Sequence, residues 1–206
     1  RNKMFAYIKG SLEVKTNGYI EIDVNGIGYK IFMSETAINK LGAIGEIIKI
    51  HTYVRVREDD ISIYGFNTNE ELRMFELLLS VSGIGAKSAL VILSNVSVSS
   101  FALAIINNDI NLLKKLPGIG PKTAQRVILE LKDKLKKENE IVANENTDIS
   151  DTINTAIMDD EKIAEATAAL KVLGYTGKEI EKALEKVDAN LSVEDIIRKG
   201  LLNLAR

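Results

Sequence analysis

The chain contains no cysteine, no tryptophan, one histidine and two prolines in 206 residues. Without cysteine there is no disulfide scaffold, no thiol nucleophile, no zinc finger and no iron–sulfur cluster, and the composition fits a reducing compartment. His51 is the only histidine, which also excludes a multi-histidine metal site. No apolar run approaches the ~20 residues of a membrane-spanning helix, and no secretory signal is visible. Arg1-Asn2-Lys3 precede Met4, which reads as a natural start, so those three are expected to be an expression remnant. A strong excess of one charge is missing too: 27 basic against 29 acidic residues leave a formal net charge of −2. What the chain does have is apolar content, 46% of residues, enough for a sizeable core.

A total of −2 argues against a nucleic-acid partner, but the charge is unevenly spread. Residues 4–66, with the three leading residues, carry 9 basic and 8 acidic side chains. Residues 67–137 carry 10 and 6, a net of +4. Residues 138–160 carry 7 acids and no base, and residues 161–206 carry 8 of each. The basic block thus ends at a stretch rich in Asn, Thr, Asp and Glu, which reads as a flexible acidic linker and the clearest domain boundary.

Three modules follow from the patterning. In 4–66, Ile20, Ile22 and Val24 alternate with Glu21, Asp23 and Asn25, the period of a half-buried strand, and Asn25-Gly26 supplies a tight hairpin turn. Phe5–Ile8, Gly28–Met33, Ile47–Val54 and Ile61–Tyr64 read as further strands, with a short helix over Glu35–Leu41. Five short strands close most economically as a small barrel, and His51 on one of them is structural. The block 67–137 is helical, with apolar faces at Leu72, Phe75, Leu78 and Leu79, then Ala89–Leu93 and Val127–Leu131. The last module, 161–206, shows three helical stripes, one ending at Gly174 and one opening at Ser192. A three-helix unit of about 45 residues suits docking better than catalysis.

The most informative feature is a repeat within the basic block. Val81-Ser82-Gly83-Ile84-Gly85-Ala86-Lys87-Ser88-Ala89 returns as Leu116-Pro117-Gly118-Ile119-Gly120-Pro121-Lys122-Thr123-Ala124. Each copy places Gly-Ile-Gly between two helices. The glycines permit a tight turn with positive φ and a close backbone approach, and the isoleucine anchors the turn. The first amides of the second helix then face an anion, and Lys87 or Lys122 adds charge beside them. Ser88 and Thr123 can cap or donate. This is a tandem helix-hairpin-helix, a device for gripping the DNA backbone without reading sequence. A P-loop would need glycine where Ala86 and Pro121 stand, and a dinucleotide-binding loop would need a third glycine where Ser88 and Thr123 stand. A DNA-binding fragment of a nuclease or ligase would use the same hairpins for anchoring, but neither the Glu58–Asp60 turn nor the linker resembles a two-metal site. A third reading is an assembly adaptor whose hairpins are only structural.

With these motifs in order the chain resembles the RuvA family, the bacterial Holliday-junction-binding subunits of branch-migration complexes. Phe5-Ala6-Tyr7-Ile8-Lys9-Gly10, Gly26-Ile27-Gly28-Tyr29, Val56-Arg57-Glu58-Asp59, Tyr64-Gly65-Phe66, both hairpins and Leu173-Gly174-Tyr175 carry the resemblance, over nearly the whole chain from Met4. It implies a multi-domain α+β protein: an OB-fold barrel, a helix-hairpin-helix domain and a mobile C-terminal three-helix, UBA-like domain. It implies a flat homotetramer that holds a four-way junction open, two tetramers making an octamer on DNA, with no catalysis and no cofactor. The implied partners are junction DNA bound irrespective of sequence, the hexameric ATPase RuvB, and the resolvase RuvC, in the bacterial cytoplasm during recombination and repair. By position, Gly83, Gly85, Lys87, Ser88, Gly118, Gly120, Lys122 and Thr123 match the family's DNA-gripping loops, with Arg126 a further phosphate contact. Relatives often carry two lysines after the second Gly-Ile-Gly. Pro121 replaces one, which removes a charge but suits the first turn of a helix. Glu58 and Asp59 match an acidic pin that repels phosphates at the junction centre, flanked by Arg55 and Arg57. Leu170, Leu173 and Tyr175 match positions implied to contact RuvB. Of these, Leu170 also belongs to a helical core stripe, and Tyr175 is expected to be exposed.

Overall fold

In a computed structural model, residues 5–144, 156–188 and 191–204 are described. Five strands, β1 (Tyr7–Lys15), β2 (Tyr19–Val24), β3 (Ile27–Phe32), β4 (Ile47–Val56) and β5 (Ile61–Phe66), form a closed barrel in the order β1-β2-β3-β5-β4. Neighbours are antiparallel except β3 and β5. A register shift between Leu12 and Val14 lets β1 pair with both β2 and β4 as the sheet closes. The alternation read from sequence points Ile20, Ile22 and Ile31 inward onto Ile8, Leu12 and Ile50. Asn25 and Gly26 both have positive φ, as the tight turn requires. The short helix α1 (Glu35–Asn39) starts at Ser34, whose hydroxyl accepts from the Ala37 N–H.

Among the described residues, the barrel is followed by the helices α2 (Asn69–Leu79), α3 (Ala86–Asn95), α4 (Val98–Ile106), α5 (Ile110–Lys114), α6 (Pro121–Asn144) and α7 (Ala156–Val172), and then by α8 (Gly177–Leu184) and α9 (Val193–Leu204). The joint between barrel and helices is aromatic. Fully buried Phe75 of α2 meets Tyr53, Tyr64 and Phe66 of the barrel with ring centroids 5.4, 5.4 and 4.8 Å apart. The Asn67 side chain ties the connection by donating to the Ala37 carbonyl at 2.9 Å.

The acidic stretch 138–160 is not all connector: α6 runs into it as far as Asn144, and α7 leaves it from Ala156. Residues 145–155 lie outside the described residues. The three-helix unit is seated on the hairpin helices, and its core is continuous with theirs. Arg73 Nε of α2 donates to the Val172 carbonyl at 3.0 Å, and Arg198 of α9 donates twice to Asn107 Oδ1, at 3.1 and 2.9 Å.

Candidate nucleic-acid interface

The repeat in sequence is a repeat in structure. Val81 and Leu116 are buried at the start of each turn, and Ile84 and Ile119 plug the core after it. The Ile84 N–H donates to the Val81 carbonyl and the Ile119 N–H to the Leu116 carbonyl, both at 3.1 Å. One turn on, Ala89 bonds back to Gly85 and Ala124 back to Gly120, both at 2.9 Å.

The two glycines of each pair do different work, and here the structure amends the expectation that both turn with positive φ. Gly83 and Gly118 do so, at +92° and +83°. Gly85 is extended at φ −94° and forms the N-cap of α3. A side chain built on Gly85 or Gly120 would meet nothing within 4 Å. These second glycines keep open the approach to the helix start.

Both helix starts are electrically prepared for an anion. The first turns of α2, α8 and α9 carry acids, Glu70 and Glu71, Glu179, and Glu194 and Asp195, while α4 and α5, which carry none, are capped by the Ser97 and Asp109 side chains. The first turns of α3 and α6 contain no acid and instead present the exposed Lys87 and Lys122. No side chain caps α3, so Ser88, half-buried, is not its cap, and the first amides remain available. Thr123 is half-buried at the matching place, and Pro121 takes the first helical position, where no N–H is needed. Ser88 also lies against the opposite turn, its Cβ 4.0 Å from where a Gly118 side chain would begin.

Arg126 is exposed but occupied. Its guanidinium donates to the Ser82 carbonyl at 3.1 Å and pairs with Glu130 at 3.8 Å. Glu130 escaped sequence inspection, because its partner is the Ser82 N–H, 48 residues away, at 3.3 Å.

Glu58 and Asp59 sit at the exposed tip between β4 and β5. The turn is closed by the Arg57 N–H donating to the Asp60 carbonyl at 2.8 Å, while Ser62 Oγ donates to the Asp60 carboxylate. Asp60 is thereby tied to the strand, which leaves Glu58 and Asp59 at the apex. A groove of about 970 Å³ runs between β4 and the first hairpin, from Arg55 and Val56 to Gly85 and Ala86. Among the described residues no three His, Cys, Asp or Glu side chains are grouped to hold a metal ion.

In the three-helix unit Leu170 and Leu173 are fully buried. Tyr175, expected to be exposed, is half-buried against the shared core. Its burial, then Glu70 and Glu179 nearby, push its phenol up to about 12. The cause is the seating of the α7–α8 corner on α2: a side chain on Gly174 would start 2.8 Å from Glu70 Cα.

Family models match three stretches: the RuvA N terminal domain over residues 4–65, a SAM-like helix-hairpin-helix tandem over 75–133, and the RuvA C-terminal domain over 161–205. Among curated relatives, a protein of Acetivibrio thermocellus is 48% identical over 204 residues. One from Clostridium botulinum strain Loch Maree is 47% identical over 203, and one from Ruminiclostridium cellulolyticum 44% over 202. Each alignment covers 98% of this chain and 100% of the relative. All three are named Holliday junction branch migration complex subunit RuvA, not nuclease or ligase.

Proposed function

The chain belongs to the RuvA family, and on that premise we propose that it is a non-catalytic subunit that binds four-way DNA junctions irrespective of sequence, holds them open and delivers them to a hexameric ATPase motor, RuvB, for branch migration. The observation that carries this reading is the pair of acid-free helix starts, each with a lysine and an open glycine before it, joined rigidly to a barrel whose exposed tip is acidic.

The division of labour follows from charge. The hairpins offer backbone amides and lysines to phosphates, a contact that positions DNA without selecting bases. Glu58 and Asp59 do the opposite: carboxylates pressed against phosphates at a crossover disfavour stacked arms and keep the strands apart. The aromatic joint around Phe75 fixes where attraction ends and repulsion begins. One chain offers a modest net charge and one pin, so a four-armed junction calls for four chains, and we read the assembly as a homotetramer, doubled when a second tetramer covers the other face. Leu170, Leu173 and Tyr175 are the proposed contacts to RuvB, and RuvC is a proposed further partner on the same cytoplasmic junction.

The test is a gel-shift comparison of a four-way junction with linear duplex of the same sequence, combined with mass measurement of the complex in solution. The junction is expected to bind at least tenfold more tightly, about 1.4 kcal/mol, with four or eight chains present. Equal affinity for the two DNAs overturns the proposal.

A further inference from the structure

The two hairpins share one sequence pattern but are not braced alike. The 35-residue offset that lays Gly83 on Gly118 also lays Val91, Asn95 and Ser99 on Arg126, Glu130 and Lys134. The latter three recur every fourth residue and so share one face of α6. That face reaches back to the first hairpin. Arg126 Nη1 donates to the Ser82 carbonyl at 3.1 Å, the Ser82 N–H donates to Glu130 Oε2 at 3.3 Å, and Lys134 Nζ donates to the Ser80 carbonyl at 3.2 Å. Nothing equivalent can run the other way. Val91 is an exposed apolar side chain, Asn95 donates to the Val91 carbonyl of its own helix, and the only charged residue in α3 is Lys87.

The two cations have a simple local account, since they lie at the carbonyl end of α2, where the helix dipole favours positive charge. Glu130 has none. A carboxylate beside a DNA-gripping turn repels phosphate, so on charge alone it weakens the function. What it supplies is an acceptor for the amide that enters the Gly83 turn, and a partner that aims Arg126 at the carbonyl of the same residue. Both backbone polar groups of Ser82 are thus held by one helix of the other hairpin.

We propose that Glu130, through Arg126 and Ser82, is a positioning residue for DNA binding: it locks the first hairpin to the second and so fixes the spacing between the two phosphate-gripping helix starts. It makes no contact with DNA. The inference rests on the hairpins being the phosphate grips.

Two conservative variants separate reach from charge. Glu130→Asp keeps the charge and shortens the arm by one methylene. Glu130→Gln keeps the reach and an acceptor oxygen and removes the charge. Junction affinity is measured for both against the unmodified full chain over a range of salt, with thermal melting as the control for folding. Bracing predicts that Glu130→Asp binds about three- to tenfold more weakly, the loss of a hydrogen bond or two, with the same salt slope, because no phosphate contact is lost. Glu130→Gln is expected to stay close to the unmodified chain. Glu130→Asp binding as tightly as the unmodified chain overturns the proposal, whatever Glu130→Gln does. A changed salt slope in Glu130→Asp overturns it as well, by showing that DNA contacts themselves were lost. Failure of the unmodified chain to prefer the junction is a different result, which removes the proposed function and not the brace alone.

Discussion

Lys87 and Lys122 are exposed, one in each hairpin, at two repeat-related helix starts whose first turns carry no acid. A lysine that neutralises a phosphate releases counterions, so its loss is read in the salt dependence of binding more clearly than in affinity at one salt. The double variant Lys87→Ala, Lys122→Ala should bind every junction sequence more weakly. The slope of log K against log salt should become shallower by about 2 for each chain bound, near 0.9 for each contact, and so by about 7 for a tetramer. Titrations from low to moderate salt check this, and an unchanged slope removes both lysines from the interface. These residues were legible in the sequence because lysine, glycine and isoleucine stand within a few positions of each other in both copies. Glu130 was not, since what it does depends on an amide 48 residues upstream that only the folded pair of hairpins brings near.

At the scale of the element, an open helix start is a compromise between stability and binding. Gly85 caps α3 with no side-chain hydrogen bond, in an extended conformation that any residue adopts and with nothing in front of it. Serine is a better cap because its hydroxyl accepts from a first-turn amide. Gly85→Ser should therefore stabilise the chain by a few tenths, about 0.3 kcal/mol, while junction binding falls, because the new side chain takes an amide and blocks the approach. Melting and binding measured on one preparation check the opposed signs; binding that holds or improves shows that this helix start is not the grip. The elements themselves were largely readable. Period-two alternation marks β2, Asn25-Gly26 marks its turn, and Ser192 marks a helix start, its hydroxyl accepting from the Asp195 N–H at 3.2 Å. The length of α6 was not readable, because the change of charge at residue 138 is no stop signal: between Pro121 and Gly174 there is neither glycine nor proline, and lysine and glutamate favour helix.

At the scale of the whole molecule, the three-helix unit sits where its proposed work cannot be done. Tyr175 is half-buried at the corner pressed onto α2, so a motor that engages it must first draw the unit away, whereas Leu170 packs on Gly200 of α9 inside the unit's own core. No sequence pattern signals this, since an apolar stripe that faces its own core looks the same as one shared with a neighbouring domain. The seating is held by polar contacts whose hairpin-side partners are Arg73 and Asn107, besides the shared core. A double variant Arg73→Ala, Asn107→Ala weakens the seat and leaves every residue of the three-helix unit unchanged. Any gain in motor binding then comes from release, not from a new contact. When the competent form is a minor population, apparent affinity rises in proportion to that population. Losing three hydrogen bonds worth about 1 kcal/mol each should tighten the variant's binding to RuvB by about a hundredfold. The measurement is the affinity of full-length chain for RuvB without DNA, where the hairpins' own binding does not enter. Unchanged affinity would mean that the seat does not compete with the motor, and that the motor contacts lie on a face of the three-helix unit that is already open.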